Sequence, residues 1–258
     1  MGPMTALQQS PEFARALTAY GADIASVAPV ILRRRFARYG RVMFASRAVP
    51  SDIADTPVQI LNGETPCKRP YRAAGFRQIM TPAHIAQLDL TRDDLRAGMS
   101  GKWRNRLVKA ERHGVRIRET TWDGSAHPMF AAAKTLARKR RYGTYPTALL
   151  STFAQINPND ALLFEAYDRG TLCAACLVLR HGQTATYQTA WSTPTGHALQ
   201  APRAVLWAAA KRLAALGHED FDLGTVDTDH AAGLARFKLG SGAALRPLGG
   251  TWVRLRAP

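Results

Sequence analysis

Cysteine is scarce: Cys67, Cys173 and Cys176 are the three in 258 residues. That excludes a disulfide framework in a chain of this size and fits a reducing cytoplasm. Cys173 and Cys176 have CxxC spacing but lie within an apolar, alternating run. Three residues apart on a strand, their side chains point to opposite faces, so two buried thiols are expected rather than a metal or redox pair. Long apolar runs are absent, and no stretch approaches the roughly 18 to 20 residues that span a bilayer. The N-terminus has no basic start, apolar run and small-residue cleavage site, so a soluble, cytoplasmic protein is expected.

Nucleotide loops are missing: neither GxxxxGK(S/T) nor GxGxxG occurs. A GxSxG elbow is absent, and no cysteine sits near a histidine in a catalytic pattern, which argues against ordinary hydrolase chemistry. His230 with Asp227 and Asp229 is an oxygen and nitrogen cluster in a loop, but D-x-D-H alone specifies no site, and no metal is expected. Acid is the other shortage. With 19 aspartates and glutamates against 35 lysines and arginines, the formal net charge is +16. Such a surface suits polyanionic partners: nucleic acid, nucleotide diphosphates or an anionic membrane face. A solvated basic surface with no partner is the bland alternative.

What is present is an ordinary globular composition, 46% hydrophobic and 21% charged, long enough for one large or two modest domains. Pro11 to Tyr20 reads as a helix. Residues 28–50 read as a β-hairpin around Tyr39-Gly40 that carries Arg33, Arg34, Arg35, Arg38 and Arg41. Residues 51–78 are loop-rich, and His84 to Leu90 is a strand. Thr91 with Asp94 makes a capping-box-like pair for a helix, which Gly98 and Gly101 break before a second helix that ends at Gly114. Lys102, Arg106 and Lys109 border the apolar stripe of that second helix, where they read either as phosphate contacts or as a solvated face.

Val115 to Thr120 is a strand, and Pro128 to Arg141 is a helix with Lys134, Arg138, Lys139, Arg140 and Arg141 crowding its end. Part of that cluster complements the helix dipole. A short helix reaches Ile156. Three runs, 162–168, 172–180 and 184–192, then form an antiparallel meander. An amphipathic helix ends at Gly217, a strand carries Phe221 and Leu223 to Gly224, and a helix delivers Phe237-Lys238. Residues 246–256 form a final strand or hairpin. This order predicts a mixed α/β (α+β) sheet with helices on both faces.

Several motifs, in order, carry a family resemblance. The run LDLTRDDLRAGMSGKWRNRLVKAERHGV, then FDLG, LARFKLG and the closing Gly250-Thr251-Trp252, is similar to the FemABX aminoacyltransferase family. The likeness covers roughly residues 28–258. It implies a GNAT-like acyltransferase domain at 100–258, with a largely antiparallel sheet flanked by helices. Residues 1–99 would be a smaller, truncated GNAT-like half.

The implied activity is transfer of an aminoacyl group from aminoacyl-tRNA to an amine on a peptide, peptidoglycan precursor or small molecule. No cofactor would be tightly bound; the tRNA is a co-substrate. The resemblance implies that Lys238 stabilises the reacting carbonyl oxygen and that Arg141 and Tyr145 contact the acceptor. Lys139, Phe237 and Tyr187 complete the substrate-binding candidates. Lys102, Arg106, Lys109, Arg34 and Arg35 are the candidates for nucleic acid or phosphate.

The residues themselves leave alternatives open. Lys238 also reads as a snorkelling lysine beside buried Phe237. Asp222 and Asp227 at the strand end are candidate bases, and Asp222 also reads as the partner of a nearby arginine. An acyl-CoA donor would ordinarily meet backbone amides in a Q/RxxGxG/A turn. Here that segment is Gln200-Ala201-Pro202-Arg203-Ala204, in which a proline removes one donor and arginine replaces a glycine. That departure favours a donor other than acyl-CoA. An acyl-CoA-dependent enzyme of the same fold and a non-catalytic nucleic-acid-binding protein are the competing readings.

Overall fold

The computed structural model describes residues 5–36, 40–140 and 143–254. In chain order, α1 (Pro11–Ala19), β1 (Ile24–Val27), β2 (Val30–Phe36), β3 (Gly40–Ala48) and β4 (Ile60–Gly63) come first. They are followed by α2 (Lys68–Ala73), β5 (Arg77–Met80) and β6 (His84–Asp89). The middle holds α3 (Gly101–Arg112), β7 (Arg116–Thr121), α4 (Pro128–Arg140) and α5 (Thr147–Ile156). The expected meander is β8 (Ala161–Asp168), β9 (Thr171–His181) and β10 (Thr184–Ser192), after which α6 (Pro194–Ala198) leads into α7 (Ala201–Ala215). The chain closes with β11 (Asp220–Val226), α8 (Ala232–Gly240), β12 (Ala244–Pro247) and β13 (Gly250–Val253).

Two sheets result, with strand orders β1-β2-β3-β4-β13-β5 and β12-β6-β11-β10-β9-β8-β7. Most neighbours are antiparallel; β3 with β4 and β10 with β11 run parallel. This is the mixed, largely antiparallel architecture expected. The division expected between residues 99 and 100 is crossed in both directions. β6, from the first half, pairs with β11 and β12, whereas β13, from the second, inserts between β4 and β5.

The meander is apolar because it is covered on both faces. Along β9, Cys176 and Val178 join a core with Trp103 and Leu107 of α3 and Val205, Leu206 and Leu213 of α7. Ala175, Leu177 and Leu179, alternating with them, join Leu17 of α1 and Leu150 and Phe153 of α5. Cys173 and Cys176 are buried free thiols, and burial pushes both thiols up. A third core, under the first sheet, holds Leu61, Tyr71, Phe76 and Trp252. Each such fully buried side chain contributes about 1.5–3 kcal/mol.

Two local expectations are corrected. Thr91 and Asp94 do not start a helix. The Asp89 carboxylate accepts from the Thr91 N–H and hydroxyl at 3.0 and 2.6 Å, and Asp94 accepts from the N–H groups of Arg96 and Ala97. These short acidic side chains hold the backbone in turns, and the helix begins at Gly101 behind its cap Ser100. The closing segment is likewise neither one strand nor a hairpin. β12 pairs with β6 in the second sheet and β13 with β4 and β5 in the first.

Candidate active site

The site is set by a failure of pairing. β10 and β11 run parallel through Thr184–Asp220, Ala185–Phe221 and Thr186–Asp222, and the pairing stops there. β10 shifts register against β9 between Tyr187 and Thr189, and β11 shifts against β6 between Asp222 and Thr225. An extra residue in a strand bends it and re-aims the residues beyond the bulge. β10 then stays with β9 and β11 with β6, so a wedge opens between their C-terminal ends. Chemistry sits at such a switch in α/β sheets because backbone groups there lack strand partners.

Lys238 reaches the β11 backbone just beyond the point where its pairing with β10 ends. It lies in the last turn of α8, is 7% exposed, and its Nζ donates to the Thr225 carbonyl at 2.8 Å. Two glycines make this possible. Gly224 has φ +78°, and a Cβ there would stand 3.5 Å from Nζ. The strand therefore runs on past Gly224, through a left-handed residue, to Val226. Gly240 lets α8 lie against α3, since a Cβ would meet the Trp103 ring at 2.9 Å. The Trp103 indole N–H also donates to the Phe237 carbonyl at 2.9 Å, fixing the α8 terminus. Burial lowers the Lys238 ammonium to about 8, against the opposing pull of Asp222.

Asp222 is 5% exposed and fully engaged. Its Oδ1 accepts from the Gly224 N–H at 2.7 Å and its Oδ2 from Arg47 Nη1 at 3.2 Å. The alternative reading of Asp222, an ion pair with an arginine, is the arrangement found. Asp227 lies in the exposed loop, where it accepts from the N–H groups of Asp229 and His230 and from the His230 ring. Both carboxylates are occupied as acceptors. Among the described residues no group of three or more His, Cys, Asp or Glu could hold a metal ion.

Arg47 is the residue that sequence reasoning missed. It sits in β3, and its guanidinium binds Asp222 and Glu64, which also accepts from Arg246 at 2.6 Å. Its positive charge also acts on the Tyr145 phenol, as does that of Arg34. Tyr145 is half-buried, tilted against Phe13 at 5.1 Å, and its hydroxyl accepts from Gln8 Nε2 at 3.1 Å. Desolvation raises its phenol. Nothing in the local sequence Ser46-Arg47-Ala48 signals this role, because the partner lies 175 residues away.

The other candidates scatter. Phe237 packs against Trp103, with the Arg203 guanidinium over both rings at 5.6 and 5.8 Å, so its ring serves the core around α3 and α8. Tyr187 lies at the β10 bulge, edge-on to Phe221 at 6.2 Å, with burial raising its phenol. Lys139 is exposed on α4, and Arg141 lies outside the described residues. Arg34 and Arg35 are exposed on β2, and Lys102, Arg106 and Lys109 on α3. A cleft of about 690 Å³, lined by His113, Arg116, Arg118, Tyr167 and Arg169, opens where β7 begins and β8 turns into β9. Strand register puts that cleft at the same end of the sheet as the wedge.

The α7 N-terminus also departs from an amide cradle. Gln200 takes a left-handed φ of +61°, Pro202 brings no N–H, and the Arg203 N–H is bonded to the Gln200 carbonyl.

Residues 98–239, more than half of the chain, match the family described as the acetyltransferase (GNAT) domain. The chain belongs to the acetyltransferase (GNAT) domain family. This GNAT protein is therefore an acyl-transferring enzyme, and its likeness to solved structures extends beyond the matched domain. The crystal structure of FemX shares the fold with a TM-score of 0.76 at 12% identity, over 97% of this chain and 92% of that one. L-PGS from Bacillus licheniformis aligns with a TM-score of 0.56 at 11% identity, covering 98% and 94% of the two chains. The C-terminal domain of an Agrobacterium fabrum protein described as a putative lysylphosphatidylglycerol synthetase aligns at 0.59 and 15% identity, covering 96% and 88%. A search of curated proteins returns no match. The FemABX resemblance thus holds at the level of the fold, first sheet included. No helix among the described residues is long and apolar enough to cross a membrane.

Proposed function

We propose that this GNAT protein moves an aminoacyl group from aminoacyl-tRNA to the amine of a peptide, a peptidoglycan precursor or a small molecule. The observation that carries the reading is the Lys238 ammonium, buried against β11 just past the end of its pairing with β10. In ester aminolysis the amine nitrogen adds to the carbonyl carbon, and the carbonyl oxygen becomes an oxyanion. An aimed cationic donor in a water-poor site stabilises that charge where it forms. Collapse of that intermediate restores the C=O bond, breaks the ester C–O bond, and passes the proton lost by nitrogen to the departing ribose oxygen. Asp222 would then act on Lys238 rather than as the base.

The α7 N-terminus and the surface charge point to the donor. A proline, a bonded amide and a left-handed glutamine at Gln200–Arg203 leave little backbone for a coenzyme A pyrophosphate. The exposed cations on α3 and the basic cleft suit a phosphodiester backbone, and the fold shared with FemX is consistent with this donor. Affinity for charged tRNA should therefore fall with salt, log K dropping by about 0.7 to 0.9 per phosphate contact for each tenfold rise in salt. A salt-independent affinity, measured by filter binding between low and high salt, would remove tRNA as donor.

One finding favours a second reading: the family is described by acetyl transfer, so acyl-CoA is the competing donor. Calorimetry with acetyl-CoA and a longer acyl-CoA, beside a transfer assay using charged tRNA and candidate amines, separates the two. Tight acyl-CoA binding with no aminoacyl product would select the second reading.

A further inference from the structure

We propose that Arg47 is a positioning residue for Lys238: by clamping Asp222 from the first sheet, it fixes the Asp222–Thr225 segment against which the ammonium is aimed. The proposal rests on the catalytic reading of Lys238.

The backbone at Arg47 is shaped for this contact. β3 pairs with β4 in register at Ser46–Asn62, slips at Arg47, and resumes at Ala48–Gly63. Arg47 itself has φ +58°, a left-handed conformation that costs energy in a residue with a Cβ. A bulge of this kind turns one side chain out of the strand pattern. Here it sends the guanidinium to the second sheet, where the side chain is 10% exposed.

There Arg47 closes a chain of contacts across the two sheets. Glu64 lies between Arg47 and Arg246, and Asp222 lies between Arg47 and the Gly224 N–H. A buried carboxylate persists as an anion only with partners of this kind. With both oxygens of Asp222 held, the left-handed turn at Gly224 is fixed, and so is the Thr225 carbonyl that receives Nζ. Arg47, Arg246 and Lys238 oppose Asp222 and Glu64, so these five groups carry one positive charge in excess. That excess is the charge an oxyanion would complete.

The charged and titratable groups facing this corner come from several elements. β11 supplies Asp222, the first sheet Arg47 and Glu64, and β12 Arg246. His84 stands opposite Val226 on β6, and His181 lies within electrostatic reach of Arg47. α3 presents Ser100 and Trp103 to the α8 terminus, and Arg236 on α8 itself is exposed.

The test reads the lysine directly, without turnover. Protein carrying 13C-labelled lysine is titrated by NMR, with the Lys238 signal assigned by its loss in Lys238→Met. Arg47→Gln removes a cation beyond Asp222, so the Lys238 midpoint should rise by about one pH unit. Asp222→Asn, nearly isosteric and the safer variant to fold, should lower it by a similar amount, and the double variant should return it close to the starting value. Unmoved midpoints in both folded single variants would overturn the clamp and leave an ordinary interface ion pair. Midpoints that move as expected while Lys238→Met keeps full turnover would support the clamp and remove the catalytic reading of Lys238.

Discussion

Lys238→Met lowers kcat by about 100- to 1,000-fold, the usual cost of removing one donor to a developing oxyanion, while donor binding is retained. Methionine keeps the unbranched stem that α8 packs against β11 and removes only the ammonium. The effect should fall on kcat and kcat/KM together, because the interaction is made in the transition state and not with the ground-state ester. A variant with unchanged kcat in the transfer assay would return Lys238 to the snorkelling role.

The pH profile gives the same claim a second handle. Lys238 is lowered to about 8 by burial, so its cationic form is present below that pH and lost above it. If the cation acts on the oxyanion, kcat/KM rises as the acceptor amine loses its proton and then falls through about pH 8. If the neutral lysine acted as a base, activity would instead rise through that pH and level off. The direction of the alkaline limb therefore separates the two roles.

Trp252→Ala destabilises the protein by about 3–5 kcal/mol, the range for deleting a large buried aromatic side chain. Trp252 is 1% exposed, stacks on Tyr71 at 4.8 Å and 8°, and donates its indole N–H to the Gly249 carbonyl at 2.9 Å. Its strand, β13, is the bridge between β4 and β5. The loss therefore opens a cavity and loosens the pairing that holds the first sheet together. Urea unfolding monitored by circular dichroism measures it. A loss below about 1 kcal/mol would show that the core collapses around the gap, the outcome seen only where a site relaxes well. Because that sheet carries Arg47, the variant should also weaken turnover at temperatures where it remains folded.

Sequence patterns were legible only where they depend on near neighbours. Alternation with short Gly-containing turns identified β8, β9 and β10, and helical spacing identified α3 and α7, because those periods arise from the local backbone. Lys238 is singled out by the resemblance of LARFKLG to the FemABX pattern, not by a period of the backbone. Local rules also failed where two of them competed. At Thr91–Asp94 the capping pattern was present, but Asp89 and Asp94 drew the neighbouring N–H groups into turns.

The sequence by itself determined that the chain is basic, globular and organised as a mixed sheet between helices, with an acyltransferase-like run of motifs. Composition and period decide the first three without reference to distant residues, and the motifs are a family resemblance. Only the tertiary structure decided that β13 belongs to the first sheet and that Asp222 is held by Arg47 across 175 residues. The opening of the wedge beside Lys238 is of the same kind. Strand pairing and buried ion pairs are fixed by which surfaces meet when the chain closes on itself, and no period along the chain records that meeting.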